Sequence, residues 1–288
     1  MADTTEATAL PADALFDRLY WLQVEDMTIS ALNVQFVVKR SLSAKVAGRC
    51  DLTIHNLSEE SRKRLHAMRE VFCSLEAGYT ATGLSLLFRG DLSEAWSSRD
   101  GTEWTTTITS DDGGKKKKSA RVQRNYVQGT SLAKIITDVA AAMQVGIGNA
   151  LSVVADARYW KTGQVAVGKG FAASGDAVAV LDRLTRSCGL QWSIQDGELQ
   201  FLPSRAAVLP DAPIKLTPQS GLIESPELGK NQLVKARTLM LPGLYPGRQV
   251  ELDTRYVGGV YRIDTVTFKG EWMGNDWGAE LELSAVKR

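Results

Sequence analysis

The sequence predicts a mainly β chain with an inserted α/β unit, in which two β-barrel or sandwich modules flank a small α/β domain. Three observations predict it. First, the C-terminal stretch 238–285 breaks into short runs of period-two alternation, bounded by Pro242-Gly243, Gly258-Gly259 and Gly274-Asn275-Asp276, the pattern of antiparallel strands with one wet face. Second, residues 20–110 hold further short, β-branched alternating runs with only one helical signal. Third, after Asp111–Lys118, DDGGKKKK, the hydrophobic period changes from strand-like to helix-like.

Taken in order, residues 1–19 are acidic and rich in Ala and Thr, which predicts a loose arm or one short helix over 11–19. Strands begin at Tyr20. Met27–Ala31 and Asn33–Val38 read as adjacent strands, with Val34, Phe36 and Val38 on one face. Arg49–His55 turns Cys50, Leu52 and Ile54 inward. Ser58 is a good N-cap, and Glu59 and Glu60 occupy the first turn where the helix dipole favours acids, so a helix is expected over Glu59–Met68. Val71–Ala77 is a strand stopped by Gly78. Leu84–Arg89 is another, stopped by Gly90-Asp91, and Asp91–Ser98 follows. Asp100-Gly101 suits a type I′ hairpin turn, and Trp104–Ser110 returns.

The helical stripe Leu132, Ile135, Ile136, Val139, Ala140 and Met143 predicts a helix capped by Thr130 and closed by Gly146. Residues 148–170 are ambiguous. A second helix opens at Ser174, with Val178, Leu181 and Leu184 buried and Gly189 at its end. Gln191–Ile194 and Glu198–Leu202 form a hairpin through Asp196-Gly197. Pro203, Pro210, Pro213 and Pro218 mark the exit from this unit. Strands then resume: the apolar run Leu239–Leu241, Arg248–Leu252, Val260–Phe268 and Trp277–Leu283. In Val260–Phe268, Tyr261, Ile263 and Thr265 should share one face, and Arg262, Asp264 and Val266 the other. The expected division is 1–19 arm, 20–112 first β module, 113–206 α/β domain, and 207–288 second β module. No sequence repeat relates the β modules.

Composition narrows function. The chain has 288 residues, enough for two or three cores. With 34 basic and 33 acidic residues its net charge is +1, so no global field draws it to nucleic acid or an anionic membrane. Cys50, Cys73 and Cys188 are odd in number and lack CxxC spacing, which argues against a disulfide framework or zinc site. The N-terminus lacks the basic and apolar regions of a secretory signal. No run approaches the ~20 apolar residues of a membrane helix.

Candidate chemistry is thin. Lys115–Lys118 could contact phosphates or an acidic protein surface, but such charge runs usually sit on solvated loop tips. Gly163–Asp176 contains Gly168-Lys169-Gly170 yet lacks the GxxxxGK[ST] register of a phosphate loop. His55 and His66 are the only histidines, so His-based catalysis or metal ligation is disfavoured. Asp264 and Asp276 are the carboxylate pair a hydrolase would need, although Asp253, Asp264, Glu271 and Asp276 all fall on turns or outward strand positions. Trp96 and Trp104 flank one hairpin and could pair across it. An exposed Trp160 or Trp272 would suit a carbohydrate- or receptor-binding module. No catalytic, cofactor-binding or metal site is assigned, and no cofactor is expected.

Three stretches together resemble the baseplate hub (tail hub) proteins of tailed bacteriophages. Leu32–Leu65 runs from a strand with an Asn-Leu-Ser ending into a short helix. Val71–Gly113 carries Glu-Ala-Gly-Tyr, Leu-Phe-Arg-Gly-Asp and the Asp-Gly hairpin. The C-terminal stretch, preceded by Ser220–Pro226, orders Leu-Pro-Gly-Leu-Tyr-Pro-Gly, Tyr261-Arg262-Ile263 and Gly274-Asn275-Asp276-Trp277 as that family does. The resemblance covers residues 20–286. It implies a non-enzymatic homotrimeric ring of two tail-tube-like modules per subunit. That ring would adapt a hexameric tail tube to a trimeric central spike. The implied neighbours are the tail tube or distal tail protein, the central spike, the tape measure and baseplate wedge proteins. Genome DNA would pass through the lumen without sequence-specific binding, with Lys115–Lys118 kept away from it. The implied location is the virion tail baseplate, assembled in the bacterial host cytoplasm.

Overall fold

The computed structural model describes residues 15–43, 46–113, 119–155, 166–203, 212–229 and 233–286. The expected arm up to residue 14, the Lys115–Lys118 run, Trp160 and Pro210 lie outside the described residues. The chain forms β1 (Arg18–Val24), β2 (Met27–Ile29), β3 (Val34–Ser41), β4 (Arg49–His55), α1 (Glu59–Ala67), β5 (Phe72–Tyr79), β6 (Gly83–Asp100) and β7 (Glu103–Asp111). There follow β8 (Arg121–Tyr126), α2 (Leu132–Met143), α3 (Ala150–Ala155), β9 (Phe171–Asp176), α4 (Ala177–Cys188), β10 (Leu190–Gln195) and β11 (Glu198–Pro203). It closes with β12 (Ile214–Leu216), β13 (Glu227–Leu228), β14 (Val234–Leu239), β15 (Gln249–Asp253), β16 (Gly258–Glu271) and β17 (Trp277–Ala285). The fold is mainly β, as the alternation predicts.

The chain divides into two compact units. Residues 1–40, 49–111 and 207–288 make a β unit, and residues 41–48 and 112–206 an α/β unit. In the β unit both β segments share one sheet, ordered β13-β14-β17-β16-β3-β4-β7-β6-β5-β1-β2, with β15 on β16 and β12 parallel to β15. The join lies between β16 and β3, where the Trp272 N–H donates to the Val34 carbonyl at 2.8 Å. One continuous core runs under the sheet, from Leu22, Leu52 and Ile108 to Val266, Phe268 and Leu281. Each such fully buried side chain stabilises the fold by ~1.5–3 kcal/mol. The α/β unit has its own core, where Ile135, Val139 and Met143 of α2 meet Leu181 of α4 and Trp192 and Phe201 of the β10–β11 hairpin.

Several local expectations change for identifiable reasons. β2 pairs with β1, through a turn that holds Glu25 at φ 50°, rather than with β3. Gly90 does not end a strand: β6 runs 18 residues straight through it. A Cβ at Gly90 would stand 2.4 Å from the Asp111 carbonyl oxygen, so glycine is there for close approach. The β6–β7 turn is Gly101-Thr102, with Asp100 opposite Glu103 and only Gly101 at positive φ, the type II′ arrangement. Trp96 stands opposite Thr107 and Trp104 opposite Arg99, which puts the two indoles on opposite faces, so they do not pair. A bulge between Ile263 and Thr265 resets the alternation of β16, and Ile263 and Val266 are both buried.

In the α/β unit, Ser131 rather than Thr130 caps α2, accepting from the Lys134 N–H at 3.3 Å. Ser174 lies in β9 opposite Gln123, and Asp176 caps α4 by accepting from the Val178 N–H at 2.8 Å. Asp196 and Gly197, at φ 54° and 79°, make the expected type I′ turn between β10 and β11. Tyr126 donates to Asp138 at 3.0 Å, and Arg124 and Lys134 each lie 3.3 Å from the same carboxylate. Burial, followed by the bond to and charge of Asp138, pushes the Tyr126 hydroxyl up to about 12.

Candidate functional site

Strand alternation builds one broad polar face on the β unit. Because successive side chains leave opposite faces, every second residue of β14, β17, β16, β3, β4, β7 and β6 points away from the core. Register lines them up in rows. Lys235 faces Glu282, which faces Thr265; Arg237 faces Glu280, which faces Thr267. Beyond the join, Val37, Asp51, Thr109 and Glu94 form one row, and Gln35, Thr53, Thr107 and Trp96 the next. Lys39 of β3 lines a shallow depression of about 310 Å³ with Lys235, Thr265, Thr267, Glu280 and Glu282. The face is therefore continuous across both β segments.

Charges on this face are matched locally. Lys269 and Glu280 lie 2.6 Å apart and Arg49 and Asp51 2.8 Å apart. Arg237 reaches Asp276 at 2.8 Å and Glu224 at 3.4 Å. The Thr109 hydroxyl donates to Asp51 at 3.0 Å. Exposed pairs of this kind stabilise little, ~0–1 kcal/mol each. Their effect is instead to leave a hydrophilic surface without a block of one sign.

The second feature is a cleft of about 790 Å³ beside the turn that joins β16 to β17. Phe16, Ile223 and Met273 are exposed in it. Arg18 organises one wall: its guanidinium donates to the Glu271 and Gly274 carbonyls at 2.7 and 2.8 Å and lies 5.4 Å from the Trp277 ring. Behind it stands an aromatic cluster. Tyr20 meets Trp272 edge-on at 5.0 Å, Trp272 meets Trp277 at 6.1 Å, and Trp277 meets Phe36 at 5.5 Å. These rings come from β1, β3, β17 and the turn, so they lock the β16–β3 join. The Phe36 ring lies on Gly270, where any Cβ would sit 2.2 Å from it. Nothing in the local sequence around Phe36 or Trp277 marks their meeting, since they come together only through the pairing of distant strands.

The candidate catalytic groups do not assemble. Asp264 pairs with Arg262 at 2.8 Å, and Asp276 pairs with Arg237. Seven residue steps along β16, from Asp264 to Glu271 beside Asp276, hold them roughly 20 Å apart, beyond the spacing two carboxylates need to act on one bond. His66 Nε2 lies 2.8 Å from the Ser97 hydroxyl, itself 2.9 Å from that of Thr106, a hydroxyl chain that ties α1 to β6 and β7. Trp272 is half-buried among other rings and offers no flat platform to a sugar. Lys169 is exposed ahead of β9. Among the described residues no cluster of three or more His, Cys, Asp or Glu side chains could hold a metal ion. No described helix is long and apolar enough to cross a membrane.

No family model matches the sequence, and neither does any curated protein sequence. Solved structures do match. The 43 kDa tail protein of prophage MuSo2 from Shewanella oneidensis superposes with a TM-score of 0.66 at 9% identity, over 93% of this chain and 98% of its own. The tail protein from Neisseria meningitidis MC58 gives 0.66 at 12% identity, over 93% and 96%. The chain has the fold of phage tail proteins. The tail-protein fold extends to an E. coli type VI secretion component, the c3393 protein, described as structurally similar to the T4 phage tail proteins gp27 and gp5. It superposes at 0.57 with 12% identity, over 91% of this chain and 76% of its own. At these identities it is the backbone path that is shared, and the side chains described above are this chain's own.

Proposed function

We propose that this chain is the structural, non-enzymatic hub protein of a phage tail baseplate, a homotrimeric ring between a hexameric tail tube and a trimeric central spike. The observation that carries the reading is the single sheet made from two β segments, in a fold shared end to end with phage tail proteins. Two tube-like modules per chain, 20–112 and 207–288, give six modules in three copies, which matches sixfold symmetry above and threefold symmetry below. A rigid join between the modules is what such an adaptor needs, and the aromatic cluster on β16 and β3 supplies it. The locally neutralised polar face suits a lumen that genome DNA and the tape measure pass without sticking. The tail tube or distal tail protein, the spike and baseplate wedge proteins are the proposed neighbours, in a virion tail assembled in the host cytoplasm.

Mass photometry of the purified chain tests the core of this reading. Three chains of 31.4 kDa give particles of about 94 kDa, and these should bind recombinant spike and tube proteins. A chain that stays monomeric at high concentration and captures neither partner would refute it.

A further inference from the structure

The two β segments of the sheet repeat one strand path. β3, β4, β7, β6 and β5 lie side by side in that order, and so do β13, β14, β17, β16 and β15, with every pairing antiparallel in both sets. The irregularities correspond too. β6 has β5 on one edge up to Asp91 and slips register against β7 between Leu92 and Glu94. β16 has β15 on one edge up to Arg262 and slips against β17 between Ile263 and Thr265. Counted from these bulges, the facing residues Arg99 and Trp104 answer to the facing residues Gly270 and Trp277. Followed on through β7, β4 and β3, and through β17, β14 and β13, Val38 answers to Leu228, and Phe36 to Pro226 just before β13.

This correspondence leaves two edges unmatched. Past its pairing with β15, the same edge of β16 is taken by β3. Past its pairing with β5, the same edge of β6, residues 93–100, holds no strand among the described residues, and β13 has β14 on one side and none on the other. α1 reaches β6 through side chains, His66 to Ser97, and supplies that edge no backbone hydrogen bond among the described residues. Val38 is 0% exposed, whereas Leu228, opposite the buried Val234, is 70% exposed. We propose that β13 of one copy joins the free edge of β6 in a neighbouring copy, repeating between chains the join that β3 makes with β16 within one. The inference rests on the homotrimer reading and names the strands that close its ring. An open edge is a template for a further strand. Each copy carries one edge of each kind, so the contact is head to tail and can close into a ring. It would cover Leu228 as Val38 is covered, and bring Pro226 to Trp104 as Phe36 meets Trp277.

The test treats the full chain, in a Cys188→Ser background, with a short bis-maleimide and reads covalent species on denaturing gels. An equal mixture of Arg99→Cys and Pro226→Cys chains should give covalent dimers, and neither variant alone should give any. The chain carrying both changes should run on to covalent trimers. In sedimentation velocity Leu228→Asp should weaken association about tenfold or more, because it puts a charge where an apolar contact closes, while Leu228→Ile should associate as the parent does. Leu228 is exposed in the single chain, so both variants should keep the parent's far-UV circular dichroism. A trimer that gives no mixed cross-link and is indifferent to Leu228→Asp overturns the strand pairing and leaves the trimer standing. Cross-links in Arg99→Cys alone would show a symmetric contact between two β6 edges and overturn the pairing as well. A monomer in every condition overturns the trimer itself, and the pairing with it.

Discussion

The join between β16 and β3 makes a sharp energetic prediction. Gly270→Ala would place a methyl carbon 2.2, 2.4 and 2.8 Å from three ring carbons of Phe36, where carbon contacts settle at ~3.5–4.0 Å. The ring would have to retreat by more than an ångström, and the Trp277 ring stands 5.5 Å from its centroid. Overpacking of this kind costs about 1–3 kcal/mol. Phe36→Ala removes a ring only 3% exposed and should cost about 3–5 kcal/mol. Together the changes should cost less than their sum, because the methyl at 270 meets no ring and refills part of the space. A coupling of about 2 kcal/mol is expected, within the range for residues in contact. Equilibrium urea unfolding, followed by far-UV circular dichroism and total tryptophan fluorescence, measures all four corners of the cycle. Costs that add to within ~0.5 kcal/mol would show that Phe36 and Gly270 do not seat each other, and the account of the join would be wrong.

Other outcomes follow from burial and capping. Burial raises the Cys50 thiol well above its ordinary value and pushes Cys73 up to about 11; both should resist iodoacetamide at pH 8 until urea unfolds the chain, read peptide by peptide in a mass spectrometer. Burial also holds Tyr20 and Tyr126 up to about 12. Their stabilisation is complete below pH 10 and fades as pH rises from 10 toward 12, so Tyr126→Phe should flatten the alkaline fall of the melting temperature. For Asp138, burial pushes the carboxyl up, but the Tyr126 hydroxyl, Lys134 and Arg124 outweigh it and hold it below 3.8; its contribution is present above pH 3.8 and lost as pH falls through the lower folded value, which acid melts of Asp138→Asn would reveal as a smaller slope. Asp176→Ala removes the α4 cap and should cost about 1 kcal/mol in chemical denaturation.

Much of the fold is legible wherever alternation is unbroken. Trp277, Ala279, Leu281 and Leu283 are all buried while Glu280 and Glu282 face water, as period two requires. Legibility fails where the backbone departs from the repeat. The bulge after Ile263 flips the remainder of β16, and no residue type announces it. Gly90 carries the same letter whether it ends a strand or lets two strands approach. β8 goes unseen because only Val122 and Tyr126 of its six residues are buried, too sparse a pattern to mark a strand. The join is hidden for a different reason. Phe36 and Gly270 meet only after tertiary pairing, and neither neighbourhood holds a local trace of the other.

That separation along the chain sets a timetable for synthesis. Roughly 230 residues lie between Phe36 and Gly270, and a ribosome adding ~5–20 residues per second needs tens of seconds to span them. During that interval β3 has β4 to pair with on one side, while the other side, with its row of backbone donors and acceptors, waits for a strand not yet made. A waiting strand of this kind invites pairing with the wrong chain, most of all on a polysome where sister chains emerge side by side. The α/β unit, whose core is its own, is translated in the meantime and stands between the nascent β3 and the ribosome before β16 arrives to close the sheet.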